Sequence, residues 1–162
     1  MNAEWAPMTP RHHLVVFVRA PRIGRVKTRL AGDIGAVGAW GFYRRMLHDT
    51  LRPLIRDRRW QCWLAVTPDK SVFDRRIWPQ DCLLVSQGGG GLGRRMARVA
   101  EVLPTGPVVI IGADVPGIRP GHVAQAFHLL GRHHSRHVPL CGLVQVASQQ
   151  GVEGPGLVEA AY

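Results

Sequence analysis

Four short apolar runs, each closed by a turn or a loop, constrain this chain most: residues 14–18 (LVVFV), 61–66 (QCWLAV), 81–86 (DCLLVS) and 107–111 (PVVII). Runs of five or six residues, rich in Val and apolar at consecutive positions, suit strands covered on both faces, the habit of parallel sheets. Helix-period segments separate them. Residues 37–56 carry Val37, Trp40, Met46, Leu47, Thr50, Leu51 and Leu54 at spacings near three and four, with Arg44, Arg45, His48 and Arg52 between them. That pattern predicts an amphipathic helix, which Pro53 should end or kink near its last turn. Residues 94–103 repeat the pattern through Met96, Val99 and Leu103, and residues 120–130 have Pro120 at the start and Gly131 just past the end, the usual asymmetry of helix termini. Strands alternating with helices predict an α/β fold, a Rossmann-like, mostly parallel sheet with helices on both faces.

Sheets of this kind bind ligands beyond the carboxyl ends of their strands. The first run opens there into Arg19, Arg22, Arg25, Lys27 and Arg29, which invites an anionic, phosphorylated substrate. The formal charge of +10 and pI near 11.1 would also suit nucleic acid. Its distribution argues for something narrower. Residues 1–59 hold twelve Lys and Arg against four Asp and Glu, whereas residues 60–162 hold nine against seven. Most of the excess therefore sits in one loop and the helix after it, with no aromatics interleaved among the cations, so nucleic acid is not the expected partner. Lys27 and Lys70 are the sole lysines, and such dominance of Arg is also what a GC-rich genome produces. Cys62, Cys82 and Cys141 form no C-x-x-C pair, so neither a disulfide framework nor a zinc site is indicated. The first thirteen residues lack a signal-peptide core and no run reaches membrane-spanning length; the expected location is the cytoplasm.

Three motifs carry chemistry, each with a plainer alternative. Gly24-Arg25-Val26-Lys27-Thr28 is not a Walker A loop, because Val26 and Pro21 stand where that motif needs glycines. A looser phosphate loop remains open, with Lys27, Arg25 and Arg29 on one side if the segment is extended; so does a solvated basic turn. Gly88-x-Gly90-x-x-Gly93 satisfies a dinucleotide fingerprint, with Asp114 ending the next strand. Four consecutive glycines match such patterns by accident, and a surface loop is the simpler reading. Asp114, at the tip of PVVII, can hold Mg²⁺ or Mn²⁺ across phosphates, or merely cap its turn. Val115 and Pro116 follow it, so there is no Asp-x-Asp. His133, His134 and His137 offer an H-x-x-H spacing that could meet a metal, but a ligand set needs a third partner and a rigid frame, and exposed histidines are the simpler reading.

Together, FVRAPRIGRVKTRL, QGGGGLGRRM and VVIIGADVPGI resemble a bacterial family of glycosyltransferases of the GT-A, nucleotide-diphospho-sugar transferase fold, some members of which are assigned to arsenosugar biosynthesis. The likeness runs over residues 14–131. Its first motif is met at Phe17, Pro21, Gly24, Val26, Lys27, Thr28, Arg29 and Leu30, with Arg19 where Lys is usual. Its second is met at Gln87, Gly90, Leu92, Gly93, Arg95 and Met96, with Gly91 and Arg94 replacing two acids. Gly112, Asp114, Pro116 and Gly117 match the third. The resemblance implies that Arg19, Gly24, Arg25, Lys27, Thr28, Arg29, Gln87, Gly90 and Gly93 bind the nucleotide diphosphate and that Asp114 ligates Mg²⁺ or Mn²⁺. It also moves the glycine loop from an NAD site to the edge of a nucleotide-sugar pocket.

The expected function is transfer from a nucleotide-sugar donor to a small-molecule acceptor of unknown identity, with no catalytic base to nominate. Nucleotidyl transfer on the same fold and a non-catalytic basic nucleic-acid-binding protein are the alternatives. Relatives continue past the Gly131 helix with a strand and an acidic D-G-G-Y-W-type segment. Here the grammar changes at His133 or His134, which predicts a frameshifted or truncated gene and impaired catalysis. The expected organisation is a flexible segment over residues 1–13, a nucleotide-binding domain over 14–131 and an atypical, poorly packed tail over 132–162.

Overall fold

The structure is a computed structural model that describes residues 11–115, 117–132 and 144–147, the last stretch and residues 131–132 as backbone only. His133, His134, His137, Pro116 and Cys141 lie outside the described residues. In chain order the elements are β1 (His12–Arg19), α1 (Thr28–Arg56), β2 (Trp60–Thr67), two short 3₁₀ turns (Asp69–Phe73 and Arg75–Ile77), β3 (Leu83–Ser86), α2 (Leu92–Val102), β4 (Val108–Gly112), α3 (Pro120–Arg132) and β5 (Val144–Ala147). The sheet order is β3-β2-β1-β4-β5. β1 pairs in parallel with both β2 and β4, β2 pairs in parallel with β3, and β5 adds an antiparallel edge on β4.

Alternation along β1 explains the layers. Leu14, Val16 and Val18 point to one face, where they meet Tyr43, Leu47, Leu51 and Leu54 of α1 and Val123, Ala126 and Phe127 of α3. Val15 and Phe17 point to the other and meet Met96, Val99 and Leu103 around α2. β1 is thus covered on both sides, as its unbroken apolar run requires. Helices on both faces of a mostly parallel sheet are the architecture expected from the sequence.

The buried stripe of α1 is Ala39, Tyr43, Leu47, Leu51 and Leu54, at spacings of three and four. Val37, assigned to that stripe from sequence, is 65% exposed. The helix starts nine residues before the expected position 37, because a first segment from Thr28 joins the second across Gly35, whose φ of 75° and ψ of 161° are not helical. Pro53 lies inside the helix, which runs on to Arg56. α3 likewise continues through Gly131 to Arg132. β1 begins at His12, two residues inside the stretch expected to be flexible, because His12 stacks on Phe127 at 4.5 Å and His13 is 3% exposed.

Candidate functional site

The chain winds from β1 to β2 and β3 on one side, then crosses to β4 on the other, so the reversal in strand order falls between β1 and β4. Beyond the carboxyl ends of those two strands the polypeptide must part, and a crevice is left. It is a cleft of about 640 Å³ lined by Arg19, Arg25, Val26, Lys27, Thr28 and Arg29 from the β1–α1 connection, Phe17 and Tyr43 at its wall, and Ala113 and Asp114 from the β4 exit.

The basic connection is held in place rather than left free. Val26 is 4% exposed and belongs to the α1 side of the core. The Trp40 indole donates to the Pro21 carbonyl at 2.7 Å. Gly24 has φ of 71°, and the Arg25 N–H donates to the Arg22 carbonyl at 3.0 Å. A turn with positive φ at its third residue favours glycine there, so Gly24 shapes the loop without lining the cleft. Lys27 then takes a left-handed conformation, φ 47° and ψ 46°, which is uncommon for a residue with a Cβ and recurs at functional sites. This turns the chain into helix at Thr28. Residues 25–29 are therefore a tight turn leading into a helix, not an extended segment, and Arg25, Lys27 and Arg29 reach the same cleft by that route.

Tyr43 fixes the end of β1 at that wall. Its hydroxyl donates to the Arg19 carbonyl at 2.9 Å and accepts from the Arg19 N–H at 3.2 Å, where β1 ends. Burial raises the phenol above its usual 10; the Arg19 backbone bond opposes that shift, and the Asp114 charge adds to it. The phenol stays protonated and keeps donating. Sequence reasoning missed Tyr43, although its place in the i, i+4 series with Ala39 and Leu47 marks it as inward-facing.

Arg19, Arg25, Lys27, Thr28, Arg29 and Asp114 thus meet in one cleft. The second motif is placed elsewhere. Gln87 is 3% exposed; its Nε2 donates to the Ala65 and Val18 carbonyls at 2.7 and 3.1 Å, and its Oε1 accepts from Arg95 at 2.7 Å. It is a strut joining β1, β2 and α2. Gly90 lies in the connection after β3 and Gly93 in the first turn of α2, and neither lines the cleft. Asp69 accepts from the Gly88 N–H at 3.0 Å, and Arg98 donates to the Gln87 and Gly89 carbonyls.

Asp114 is the sole carboxylate among the described residues lining the cleft. Among the described residues no group of three or more His, Cys, Asp and Glu side chains could hold a metal. One carboxylate fits Mg²⁺ or Mn²⁺ that is carried in by phosphate oxygens and keeps most of its waters. It does not make a cage of protein ligands.

A protein-family model described as "Uncharacterized protein conserved in bacteria (DUF2064)" matches residues 50–151, more than half of the chain. A search of curated proteins finds no match. Among solved structures, a protein of Desulfovibrio desulfuricans G20 assigned as a nucleotide-diphospho-sugar transferase is similar at 26% identity and a TM-score of 0.67, over 76% of this chain and 55% of that one. The 4-diphosphocytidyl-2C-methyl-D-erythritol synthase of Anaerococcus prevotii DSM 20548 is similar in fold, at 11% identity and a TM-score of 0.52, over 77% of this chain and 53% of that one. The chain therefore spans a little over half the length of these structures. Among the described residues no helix is long and apolar enough to cross a membrane.

Proposed function

The chain belongs to the bacterial family DUF2064 and has the fold of the nucleotide-diphospho-sugar transferases, and from this we propose that its cleft binds the diphosphate of a nucleotide-sugar donor for glycosyl transfer. The observation that carries the proposal is the convergence of four cations, Arg19, Arg25, Lys27 and Arg29, on one crevice with a single carboxylate, Asp114, across it. A diphosphate is a compact, multiply charged anion, and no carboxylate lies within ion-pair distance of those four cations among the described residues.

When the donor's sugar–phosphate bond breaks, its electron pair leaves on the diphosphate. Arg25, Lys27 and Arg29 oppose that growing charge from a segment whose backbone is fixed by the Arg22–Arg25 turn and the Trp40 hydrogen bond, which lowers the barrier. Mg²⁺ or Mn²⁺ between Asp114 and the phosphates would add Lewis-acid stabilisation of the same charge. Tyr43 keeps Arg19 in register at the end of β1, and Gly24 and the left-handed Lys27 set the loop.

Thermal-shift and calorimetric titrations with UDP, GDP and CDP sugars, with and without Mn²⁺, alongside a short oligonucleotide, test the reading. Stabilisation by one nucleotide sugar, strengthened by Mn²⁺, is expected. In Lys27→Ala the affinity should fall about ten- to a hundredfold, the range of a lost charge-assisted hydrogen bond. Asp114→Asn should remove the Mn²⁺ enhancement. Tight, salt-sensitive binding of the oligonucleotide with no response to any nucleotide sugar would overturn the proposal.

A further inference from the structure

Beside the cleft lies a second opening that shares only Arg19 and Arg25 with it. It has a volume of about 330 Å³ and is more enclosed than the first, between the β1 exit and the β2 exit. Four of its seven lining residues are cations, Arg19, Arg22, Arg25 and Lys70, and the others include Thr67 and Pro68. No carboxylate lines the opening, and none lies within ion-pair distance of these four among the described residues. The neighbouring acid in the chain, Asp69, uses Oδ1 to accept the Gly88 N–H.

We infer that this second pocket binds a phosphate group of a ligand separate from the donor diphosphate. Four like charges around a few hundred Å³ repel one another unless an anion joins them, and no aromatic side chain is among the described residues that line the pocket, so a nucleobase finds no stacking face there. Backbone hydrogen bonds fix the segments that carry these cations. The Arg22–Arg25 turn, closed by a 3.0 Å hydrogen bond, puts Arg22 in the second pocket alone and Arg25 in both. Arg22 in turn donates its N–H to the Ala20 carbonyl at 2.8 Å, and Ala20 donates to the Thr67 carbonyl at 2.8 Å, which ties the loop to the β2 exit. Arg19 and Arg25 form the shared wall.

A phosphate held in the second pocket therefore sits one guanidinium layer from the cleft. A phosphorylated acceptor held there would lie beside the donor. The acceptor role rests on the donor reading given above; the anion site does not. The phosphate could be borne by an organic acceptor or be the free ion, and the two share one recognition chemistry.

The test is calorimetric titration with inorganic phosphate and with glycerol 3-phosphate, at constant ionic strength, on four proteins: wild type, Arg22→Ala/Lys70→Ala, Lys27→Ala, and wild type saturated with whichever of UDP, GDP and CDP binds. Phosphate affinity should fall at least tenfold in Arg22→Ala/Lys70→Ala, change less than threefold in Lys27→Ala, and persist in the saturated protein. Tighter binding of glycerol 3-phosphate than of phosphate identifies an organic ligand, and the reverse order identifies the free ion. Absence of phosphate binding, its displacement by the nucleotide, or its loss in Lys27→Ala with retention in Arg22→Ala/Lys70→Ala would each overturn the second site. Failure of all three nucleotides to bind, with phosphate still lost in Arg22→Ala/Lys70→Ala, would instead refute the donor reading and leave the second site standing. Circular dichroism melts of both variants separate loss of binding from loss of folding, since the altered side chains are at the surface.

Discussion

Tyr43 and His13 show how single side chains set this protein's properties at opposite ends of the sheet. Removing the Tyr43 hydroxyl leaves the Arg19 carbonyl and N–H without a protein partner, so Tyr43→Phe should cost about 1–3 kcal/mol in chemical denaturation and weaken nucleotide binding by loosening Arg19. At the other end, the buried His13 accepts at Nδ1 from the Trp63 indole at 3.2 Å, and hydrogen bonding to the Thr105 and Pro104 backbone partly offsets the effect of its burial. Burial pulls the His13 pKa below its usual 6.5. A folded-state pKa below the unfolded one means that the unfolded chain binds more protons in the interval between them, so stability should be full above pH 6.5 and fall as pH drops through the lowered value. His12 is shifted the same way by burial and adds to the slope. Urea unfolding between pH 5 and 8 checks this, and His13→Gln should flatten the dependence. The thiols at Cys62 and Cys82, pushed by burial up to about 12 and about 11, should resist alkylation at pH 8 until denaturant is added, as peptide mapping would show.

Among the elements, α1 and the connection before it decide the site. Gly35 occupies a backbone region open almost only to glycine, although nothing would crowd a Cβ there, so the penalty for a side chain is conformational. Gly35→Ala should destabilise the protein by about 1–3 kcal/mol and reduce nucleotide affinity, because the segment carrying Arg29 changes its angle to the rest of the helix. Denaturant titration and calorimetry separate the two effects. Consecutive Val, Leu and Ile residues made the strands readable from sequence, and the basic run made its loop readable. The start of α1 was hidden because Gly32, Gly35 and Gly38 suppress the helical pattern between Thr28 and Ala39. Gln87 was placed by motif in the binding pocket, yet its amide serves the sheet, because a buried hydrogen-bonding strut and a ligand contact look alike in one dimension. The convergence of Arg22 and Lys70 on a second pocket depends on the parallel pairing of β1 with β2, which only the fold supplies.

At the scale of the whole molecule, the sheet order gathers charge that is scattered in the sequence. Arg19 and Asp114 are ninety-five residues apart and share one crevice because β1 and β4 are neighbours. The overall +10 charge should make binding of any multivalent anion fall as salt rises, but only the cleft should distinguish a nucleoside diphosphate from other anions of equal charge. This chain spans a little over half the length of the solved structures it resembles. The most direct measurement is a crystal structure with the nucleoside diphosphate that stabilises the protein most, in the presence of Mn²⁺. The account predicts the two phosphates between Lys27 and Asp114, within hydrogen-bond reach of Arg25 and Arg29. Phosphates bound over the glycine loop after β3, away from Lys27, would contradict it.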